Sequence, residues 1–415
     1  MGDLIGSRSL AMSKRRVLTL NSGSSSLKFS VYTMENDAED FLLSGKLERI
    51  GSGGGHFEAF HSVKGQIASE DVSLPDHRSA LDALFKRLPA LGLEKPSAIG
   101  HRVVQGGPHH LRPQIVTPDL LRELRELCPL DPPHLPAALD ALEAAQKLGA
   151  DIPQVACFDT SFHRTLPPVA QQLPLPRNLT DKTGLTRYGF HGLSYEYIVG
   201  ELARSAGLQE ANGKLVIAHL GNGASMAALR DGRSVETTMG FTPAGGLVMS
   251  SRTGDLDPGV IAYLLREKKI APDKVNDLIF QRSGLLGVSA LSSDLRDLRK
   301  AQTTNPHAQE AIDLFGYSGR KALGSLVAVL DGLETLVFTG GIGEHDAPSR
   351  SAICAGLQHL GLRLDDSSNE RGDAVISSPD SKVMVRVMKT NEELVIARHT
   401  VHLAFPKSPQ PEKNS

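Results

Sequence analysis

Two stretches of the chain have the pattern of an apolar strand, a polar turn and a second apolar strand. The first covers residues 17–32, where VLTL and LKFSVY flank the turn NSGSSS. The second covers residues 215–229, where LVIAHL and SMAAL flank GNGA. A third apolar strand, followed directly by glycines, lies within residues 333–344. Repetition of one unit predicts a duplicated domain with a glycine-containing turn in each half.

The first turn offers backbone N–H groups, hydroxyls and the Asn21 amide at one point, and Lys28 follows on the next strand. Such a concentration of donors is typical of a site that holds an anion. A polar Gly/Ser turn is also an ordinary way to reverse a strand. The turn alone leaves both interpretations open, and the second copy favours phosphate binding.

Length and composition limit the possible classes of protein. A chain of 415 residues is too long for one typical core and predicts two domains. Hydrophobic residues make up 40% and charged residues 22%, which is typical of globular proteins. The net charge of −2 gives no electrostatic reason to expect nucleic acid or an anionic membrane as a partner.

The cysteines and the chain ends suggest a cytoplasmic location. Cys128, Cys157 and Cys354 are far apart, have no metal-ligand spacing and fit a reducing compartment. No apolar run approaches the roughly 18–20 residues of a membrane span. The first residues lack the apolar core of a secretory signal, so we expect a disordered leader at 1–16 and a disordered polar tail at 406–415.

Three polar residues in the first half of the chain are candidates for chemistry, and the first two lie at the ends of short apolar strands. Arg102 precedes a pair of glycines and can reach an anion, although a surface arginine beside a turn is more common. Asp159 is either a carboxylate beside magnesium or phosphate, or an N-cap or turn residue. His191 lies between Phe190 and a glycine, just before a predicted helix. Most single histidines are structural, so these residues need support from elsewhere.

The second half adds two further candidates. Arg252 lies in a glycine-rich loop before a helix that opens at Asp257-Pro258. The last helix opens with the sequence TNEE, which predicts a capping box with Thr390 as N-cap and Glu393 as its partner. The box does not use Glu392, which we expect to have another task.

The residues together resemble the acetate kinase family. The motifs, in chain order, are NSGSSSLK, GHRVV followed by GG, FDTSFHRTLP, RYGFHG, AHLGNGAS, MGFTP, SSDLRDL, GIGE and TNEEL. They extend from about residue 17 to about residue 403, and many separate motifs at consistent spacing make the resemblance specific. It implies the α/β, duplicated actin-like (ribonuclease H-like) ATPase fold, with a nucleotide in the cleft between two domains. The implied acyl-substrate and metal domain covers 17–160 plus 390–405, and the nucleotide domain covers 161–389.

The resemblance also implies a reaction and partners. Family members transfer the γ-phosphoryl group of ATP to acetate, reversibly and directly in line, which gives ADP and acetyl phosphate. They use Mg²⁺, with Mn²⁺ as a substitute, and are usually cytoplasmic homodimers. No nucleic acid or membrane partner is implied.

The family's functional positions carry over onto this chain through its motifs. Asn21 and Glu392 match the metal positions, and Lys28 matches a lysine that contacts ATP. The implied catalytic residues are Arg102, which also binds the carboxylate, Asp159, His191 and Arg252. The residues that match the nucleotide-holding segments are His219, Leu220, Gly221, Asn222, Gly223, Asp294, Leu295, Arg296, Gly341, Ile342, Gly343, Glu344 and His345. The residues that match the lining of the methyl pocket are Val104, Phe190 and Pro243.

The physical chemistry of phosphoryl transfer agrees with these positions. The reaction needs in-line positioning and charge neutralisation, and arginines grip planar anions through forked hydrogen bonds. No GxxxxGK[ST] motif occurs, so the glycine turns must replace a P-loop. Magnesium keeps several waters, so Asn21, Asp159 and Glu392 are expected to act partly through water. A small carboxylic acid, with a pKa of about 4, is already ionised at neutral pH. Asp159 is therefore expected to position magnesium and its waters and not to act as a general base.

The chain departs from the family's motifs at several points. Tyr195 stands where GFHGTSH ends in histidine, and His345 stands where GIGEN has asparagine. The chain has PPHLP where the family has PLHNP, so Pro133 replaces a pocket leucine and Leu135 replaces an asparagine, and AGGL replaces LEGL. None of these changes removes a residue expected to do chemistry. Pro133 leaves the size of the acyl pocket open, so a propionate or short-chain fatty acid kinase is the alternative.

Two other classes share the implied fold. A sugar or other hydroxyl kinase would need Asp159 as a base and would leave Arg102 and Arg252 unexplained. A nucleotide-driven module such as actin or a chaperone ATPase domain would need no pocket for a small acid. Acetate-dependent release of ADP distinguishes both from an acetate kinase.

Overall fold

The computed structural model describes residues 14–23, 25–35, 38–93, 95–132 and 135–406. Most of the expected leader and tail, and the expected pocket residue Pro133, lie outside these described residues. The expectation that the leader extends to residue 16 is wrong at its end, because the first strand begins at Arg15 and pairs with the second strand from there.

The elements are numbered here in chain order. The strands are β1 (Arg15–Ser22), β2 (Ser26–Glu35), β3 (Ala38–Glu48), β4 (Gly55–His61), β5 (Gly65–Val72), β6 (Ala98–Val103), β7 (Gln114–Ile115), β8 (Gln154–Phe158), β9 (Leu215–Leu220), β10 (Ala224–Arg230), β11 (Arg233–Thr237), β12 (Thr335–Thr339) and β13 (Met384–Val387). The α-helices are α1 (His77–Arg87), α2 (Pro118–Glu126), α3 (Leu135–Leu148), α4 (Pro168–Gln171), α5 (Arg177–Thr183), α6 (Gly192–Ala206), α7 (Leu208–Asn212), α8 (Pro258–Arg266), α9 (Pro272–Gln281), α10 (Gly284–Ser289), α11 (Leu295–Ala301), α12 (Pro306–Leu330), α13 (Gly340–His345), α14 (Ala347–Cys354), α15 (Asp366–Arg371) and α16 (Glu392–Ala404). Short 3₁₀ helices cover Cys128–Leu130, Asp159–Thr165 and Gln358–Leu360.

The chain divides into two compact units. The first unit consists of Met1–Gly106, Arg112–Phe158 and Glu393–Ser415, and the second consists of Gly107–Leu111 and Asp159–Glu392. The expected boundaries at 160/161 and 389/390 therefore differ from these by two and three residues. The segment Gly107–Leu111 groups with the second unit, whereas the sequence assigned it to the first.

The two sheets repeat one five-stranded arrangement. The first sheet has the order β5-β4-β3-β2-β1-β6-β8-β7, and the second has the order β11-β10-β9-β12-β13. Within them, β3-β2-β1 and β11-β10-β9 are antiparallel, and β1-β6-β8 and β9-β12-β13 are parallel. The predicted duplicated α/β fold is confirmed. The third glycine-containing unit differs from the other two, because β12 leads into helix α13 and not into a hairpin.

The first unit buries both faces of its central strands. On one face, Leu20 and Phe29 belong to a core that includes residues of α1 and α3. On the other face, α16 packs so closely that a Cβ on Gly100 would lie 2.4 Å from Ile396 Cγ2. Since both faces are covered, residues 17–20 of β1 and 98–101 of β6 are buried without interruption, as expected for parallel pairing.

The second unit is also a layered structure around a buried strand. All five residues of β12 are buried. Tyr195 and Ile198 of α6 pack with Ile217 and Val337 on one face of the sheet. The long helix α12 approaches β10, where a Cβ on Gly319 would lie 3.6 Å from Met226 Cε. In the described part of the chain, no helix combines the length and apolarity needed to cross a membrane.

Candidate active site

A row of polar side chains crosses the first sheet just before the turn between β1 and β2. Asn21 pairs with Lys28 of β2 and with Arg102 of β6, so all three side chains project from the same face. The Arg102 guanidinium donates a hydrogen bond from Nη1 to Asn21 Oδ1 at 3.2 Å. Lys28 is exposed, and Arg102 is half-buried. The row therefore presents two cations and an amide, which is a suitable surface for a carboxylate or phosphate.

The turn between β1 and β2 is fixed by a residue that the sequence did not single out. The Nε2 atom of His77, at the start of α1, lies 2.7 Å from the carbonyl oxygen of Gly23. A carbonyl only accepts, so Nε2 carries the hydrogen. No local motif marks His77, because its partner lies 54 residues earlier in the chain.

Asp159 follows β8 and lies at the start of a 3₁₀ helix, fully buried. A Cβ on Gly192 would lie 2.0 Å from the Asp159 carbonyl oxygen, so only glycine allows this approach. The contact brings Asp159 to the first turn of α6, directly beside His191. The sequence placed both residues at strand or helix ends but could not show that they are neighbours.

His191 and Arg252 meet at Gly223 in the turn between β9 and β10. A Cβ on Gly223 would lie 3.1 Å from His191 Nε2 and 3.4 Å from Arg252 Nη1. The guanidinium is held by the Pro243 carbonyl, which accepts from Nη1 at 3.0 Å. An imidazole nitrogen and a guanidinium thus lie against the backbone of one partly exposed glycine turn. This arrangement can stabilise negative charge that develops on a transferring group.

Two serine hydroxyls orient the histidine rings of the second unit. Nδ1 of His191 lies 2.8 Å from Ser225 Oγ, and Nδ1 of His219 lies 2.8 Å from Ser194 Oγ. The two rings are stacked, with centroids 4.2 Å apart. Behind Ser225 lies the hydroxyl of Tyr195, 2.5 Å from Ser225 Oγ.

The backbone before His191 is held by His163, which is 2% exposed. Its Nε2 donates to the Phe190 carbonyl at 3.0 Å, so Nδ1 accepts from Ser234 Oγ at 2.8 Å. Burial lowers the pKa of His163 to about 4, and the ring is neutral at physiological pH. The sequence contained His163 within a recognised motif but gave it no role. His191 follows Phe190 and has a left-handed backbone with φ of 58°. The hydrogen bond from His163 to the Phe190 carbonyl helps to hold that backbone conformation.

The segment around α13 packs onto the end of β9. A Cβ on Gly340 would lie 2.7 Å from the Leu220 carbonyl oxygen, whereas a Cβ on Gly341 would have no neighbour within 4 Å. The Glu344 carboxylate turns back and accepts hydrogen bonds from the backbone N–H of Gly340 and of Thr390. Glu344 therefore holds the glycine segment in place, while the adjacent His345 is 81% exposed at its side chain.

A buried arginine also holds the segment around α13, through hydrogen bonds to its carbonyl groups. Arg350, 1% exposed, donates to the carbonyl oxygens of Gly343 and Glu344 at 2.9 and 3.0 Å. Asn369 accepts from its other side, at 2.7 Å through Oδ1. A further ion pair, Arg299 to Asp346 at 2.9 Å, joins α11 to the end of α13. Sequence reasoning missed Arg350, because an isolated arginine in a helix carries no local signal.

The segment of Asp294, Leu295 and Arg296 opens α11. Asp294 caps the helix by accepting from the Arg296 backbone N–H at 2.8 Å, and its carboxylate pairs with the Arg296 guanidinium at 2.6 Å. The hydrogen bond from Arg296 lowers the pKa of Asp294. Leu295 is buried, whereas the Arg296 side chain is 85% exposed. A ligand can therefore contact the Arg296 side chain without displacing packed residues.

The predicted capping box at the last helix is wrong. Helix α16 begins at Glu392, so Thr390 precedes the capping position by one residue. The Thr390 hydroxyl instead bonds Ser194 Oγ at 2.8 Å. Glu392 is the first helical residue, and a carboxylate there is favoured by the helix dipole.

The donor chemistry of the expected metal ligands fits magnesium. Asn21 and Glu392 offer oxygen atoms, which Mg²⁺ prefers, and this ion needs only one or two protein ligands. Among the described residues, no group of three or more His, Cys, Asp or Glu side chains is arranged to hold a metal.

Comparison with known proteins places these features in a family. The model of the acetokinase family matches residues 16–398. An acetate kinase of Rhodopseudomonas palustris (strain ATCC BAA-98 / CGA009) is 46% identical over 397 residues, which cover 94% of this chain and 98% of the relative.

Solved structures that are similar to this chain include an acetate kinase and a propionate kinase. The acetate kinase of Porphyromonas gingivalis is 36% identical, with a TM-score of 0.85 over 94% of this chain and 99% of that one. A propionate kinase of Francisella tularensis subsp. tularensis SCHU S4 is 33% identical, with a TM-score of 0.88 over 94% of this chain and 100% of that one. The chain therefore belongs to the acetokinase family and is a phosphotransferase whose acceptor is a carboxyl group.

Proposed function

We propose that this enzyme is an acetate kinase, which transfers the γ-phosphoryl group of ATP to acetate, reversibly and directly in line. The observation that carries the proposal is the meeting of His191 and Arg252 at Gly223, 3.1 and 3.4 Å from the position of a Cβ there. Phosphoryl transfer needs charge neutralisation at the transferring group, and these two side chains supply it from one side of a glycine turn.

Arg102 binds the carboxylate of acetate in this proposal. Its guanidinium already lies against the Asn21 amide, and forked N–H groups suit a planar carboxylate. Val104, Phe190 and Pro243 contact the methyl group. The first two side chains are 8% and 1% exposed, and both are apolar.

In this proposal, residues of the glycine turn after β9 and of the segment around α13 bind the nucleotide. His219, Gly221, Asn222 and Gly223 lie in or beside the turn after β9, and the open space at Gly341 allows a ligand to approach the backbone closely. The same turn begins after Leu220, whose carbonyl oxygen lies against Gly340. The remaining nucleotide contacts are assigned to Lys28, Asp294, Leu295, Arg296, Ile342, Gly343, Glu344 and His345.

Asn21 and Glu392 are the residues that would hold Mg²⁺, with Asp159 acting through water. When bound, the ion neutralises phosphate charge. Acetate is ionised at neutral pH, so no residue needs to remove a proton from it. If Asp159→Asn abolished turnover but left the dependence of the remaining rate on magnesium unchanged, this role for Asp159 would be wrong.

The direct test is release of ADP from ATP with and without acetate, with hydroxylamine added to trap the acyl phosphate as a hydroxamate. We expect acetate-dependent ADP release with a matching amount of hydroxamate. Slow ATP hydrolysis that does not respond to acetate would favour a nucleotide-driven module instead.

Propionate kinase activity is the second candidate, favoured by the similarity to the Francisella propionate kinase at a TM-score of 0.88. One methylene in an apolar pocket changes discrimination by only about 1–3 kcal/mol. Relative kcat/KM values for acetate, propionate and butyrate decide between the two. We expect acetate to be preferred, and a strong preference for butyrate would overturn both assignments.

We also propose that the enzyme is a cytoplasmic homodimer. Helix α8 has an apolar sequence, PGVIAYLLR, yet none of its residues is buried, and Val260 and Tyr263 are 40% and 49% exposed. A second copy of the chain is the expected cover for this face. Sedimentation of wild type and of Tyr263→Asp tests it, with a lower mass expected for the variant. None of the three cysteines is in a disulfide, which suits a reducing cytoplasm.

A further inference from the structure

A chain of hydrogen bonds runs from a buried phenol to the imidazole of His191. The Tyr195 hydroxyl lies 2.5 Å from Ser225 Oγ, and Ser225 Oγ lies 2.8 Å from His191 Nδ1. Tyr195 is one helical turn after His191 on α6, and Ser225 is on β10. Tyr195 and Ser225 are both 0% exposed, so water does not compete for these bonds.

The direction of the protons along this chain follows from Tyr195. Within the described residues, Ser225 Oγ is the one hydrogen-bond partner of the phenolic oxygen. Burial raises the pKa of the phenol above its ordinary value, so the phenol carries its proton at neutral pH. A buried O–H needs an acceptor, so Tyr195 donates to Ser225. The serine proton is then directed to Nδ1 of His191.

This direction decides which ring nitrogen of His191 carries hydrogen. Because Nδ1 accepts, the neutral imidazole carries its hydrogen on Nε2. The Nε2 atom is the one that lies at Gly223, beside the Arg252 guanidinium. Both groups at that point are thus donors, as stabilisation of a negatively charged phosphoryl group requires.

The neighbouring histidine lacks such a fixed direction. His219 Nδ1 is bonded to Ser194 Oγ, and Ser194 is bonded to the Thr390 hydroxyl at 2.8 Å. Either hydroxyl of that pair can donate to the other. The phenol is what distinguishes the His191 chain, and it stands at the position where the family's motif has histidine, a side chain that can donate or accept.

We propose that Tyr195 is a positioning residue that acts through Ser225 to hold His191 in the tautomer with hydrogen on Nε2. It does not touch the substrate. Its contribution to rate depends on the proposed phosphoryl transfer, but its effect on the tautomer of His191 does not.

The kinetic test compares Tyr195→Phe, Ser225→Ala and the double variant. We expect kcat to fall by about 10- to 100-fold in each single variant, with KM for acetate and ATP unchanged within about twofold. The double variant should be no slower than Ser225→Ala, because both changes break one chain. Independent, multiplying effects, or a wild-type kcat in Tyr195→Phe, would overturn the proposal.

Tyr188→Phe is the matched control. Tyr188 is 7% exposed and loses an equivalent buried hydroxyl bond, to the Gly184 carbonyl at 3.1 Å, without contacting His191 through it. We expect it to retain wild-type kcat. An equal loss of kcat in both phenylalanine variants would show that Tyr195 has only a structural role. If Tyr195→Phe fails to fold, Ser225→Ala gives the same readout.

A spectroscopic test is independent of activity. In enzyme labelled with ¹⁵N-histidine, the ring nitrogens of His191 are identified among the 15 histidines by their absence in His191→Gln. We expect the neutral ring of wild type to carry hydrogen on Nε2, and Tyr195→Phe to contain both tautomers. An unchanged tautomer in Tyr195→Phe would contradict the proposal. A changed tautomer in an enzyme without acetate-dependent transfer would support the proposal and refute the proposed function.

Discussion

The two glycine turns can be compared along one row of residues that crosses each sheet. In the first unit, Asn21 of β1 pairs with Lys28 of β2 and Arg102 of β6. In the second unit, His219 of β9 pairs with Ser225 of β10 and Thr339 of β12. The strands are equivalent in topology, but the first row carries cations and the second carries neutral hydroxyls beside an imidazole.

The difference in burial explains the difference in chemistry. Lys28 and Arg102 are exposed or half-buried, as charges that meet a ligand must be. Ser225 and Thr339 are 0% exposed, and a buried hydroxyl can act only on protein groups. The duplication supplied the same backbone twice. One copy provides charge, and in the other the buried hydroxyl of Ser225 orients the ring of His191.

Removal of Arg252 should have the largest effect. Arg252→Ala leaves His191 as the one described donor at Gly223, and we expect kcat to fall by about 10²- to 10³-fold. Steady-state kinetics with saturating acetate and ATP measures it. Arg204→Ala, which removes an exposed arginine paired with Glu201 on α6, is the control and should keep wild-type kcat. Equal rates in the two variants would remove Arg252 from the mechanism.

Each unit also contains a buried histidine with a lowered pKa, His101 in the first unit and His163 in the second, and these should make the two units similarly sensitive to acid. Burial lowers the pKa values of His101 and His163 to about 4, from 6.5. The unfolded state binds protons below pH 6.5 while the folded state does not. Each histidine thus stabilises the fold above pH 6.5, and its contribution is lost as the pH falls from 6.5 to 4, by at most ~3 kcal/mol.

Urea unfolding between pH 7 and pH 4 measures this loss. His101→Gln and His163→Gln should each flatten the dependence of unfolding free energy on pH over that window, whatever they do to stability at pH 7. A slope that matches wild type in either variant would show that the histidine there is not neutral and buried.

Arg102→Ala should raise KM for acetate and lower kcat. The loss of charge-assisted hydrogen bonds to a carboxylate corresponds to a fall in kcat/KM of roughly 10- to 100-fold. Arg122→Ala, on the exposed face of α2, is the control. An Arg102→Ala enzyme with wild-type constants would mean that the charged row of the first unit does not bind the acceptor.

Lys28→Ala should have the smallest effect, a rise of only a few-fold in KM for ATP, because an exposed ammonium is strongly solvated. KM for ATP should be measured at low and at high salt. The difference in KM between Lys28→Ala and wild type should shrink at high salt, because salt screens the charge. A difference that does not respond to salt would indicate a packing role.

Local sequence patterns predicted the parts of the fold that local chemistry determines. Both hairpins follow from apolar runs around glycine turns, and Arg102, Asp159 and His191 lie at or beside the ends of strands or helices. The predicted capping box is wrong because helix α16 begins at Glu392, which leaves Thr390 one residue before the capping position. The hydrogen bond from Ser194, 196 residues away, engages Thr390 elsewhere.

The supporting residues could not be found in this way. Tyr195 and Ser225 are 30 residues apart, and only the packing of α6 on the sheet brings them together. His77 and Arg350 likewise act on backbone carbonyls, which any sequence supplies. Sequence patterns therefore identify residues that face a ligand more readily than residues that hold those residues in place.

Phosphorus NMR of the wild-type enzyme with ATP, magnesium and acetate tests the central claim most directly. We predict that acetyl phosphate and ADP appear at equal rates, that inorganic phosphate does not accumulate with them, and that omission of acetate stops the reaction. Formation of inorganic phosphate from ATP at one rate with and without acetate would contradict the assignment of this enzyme as an acetate kinase.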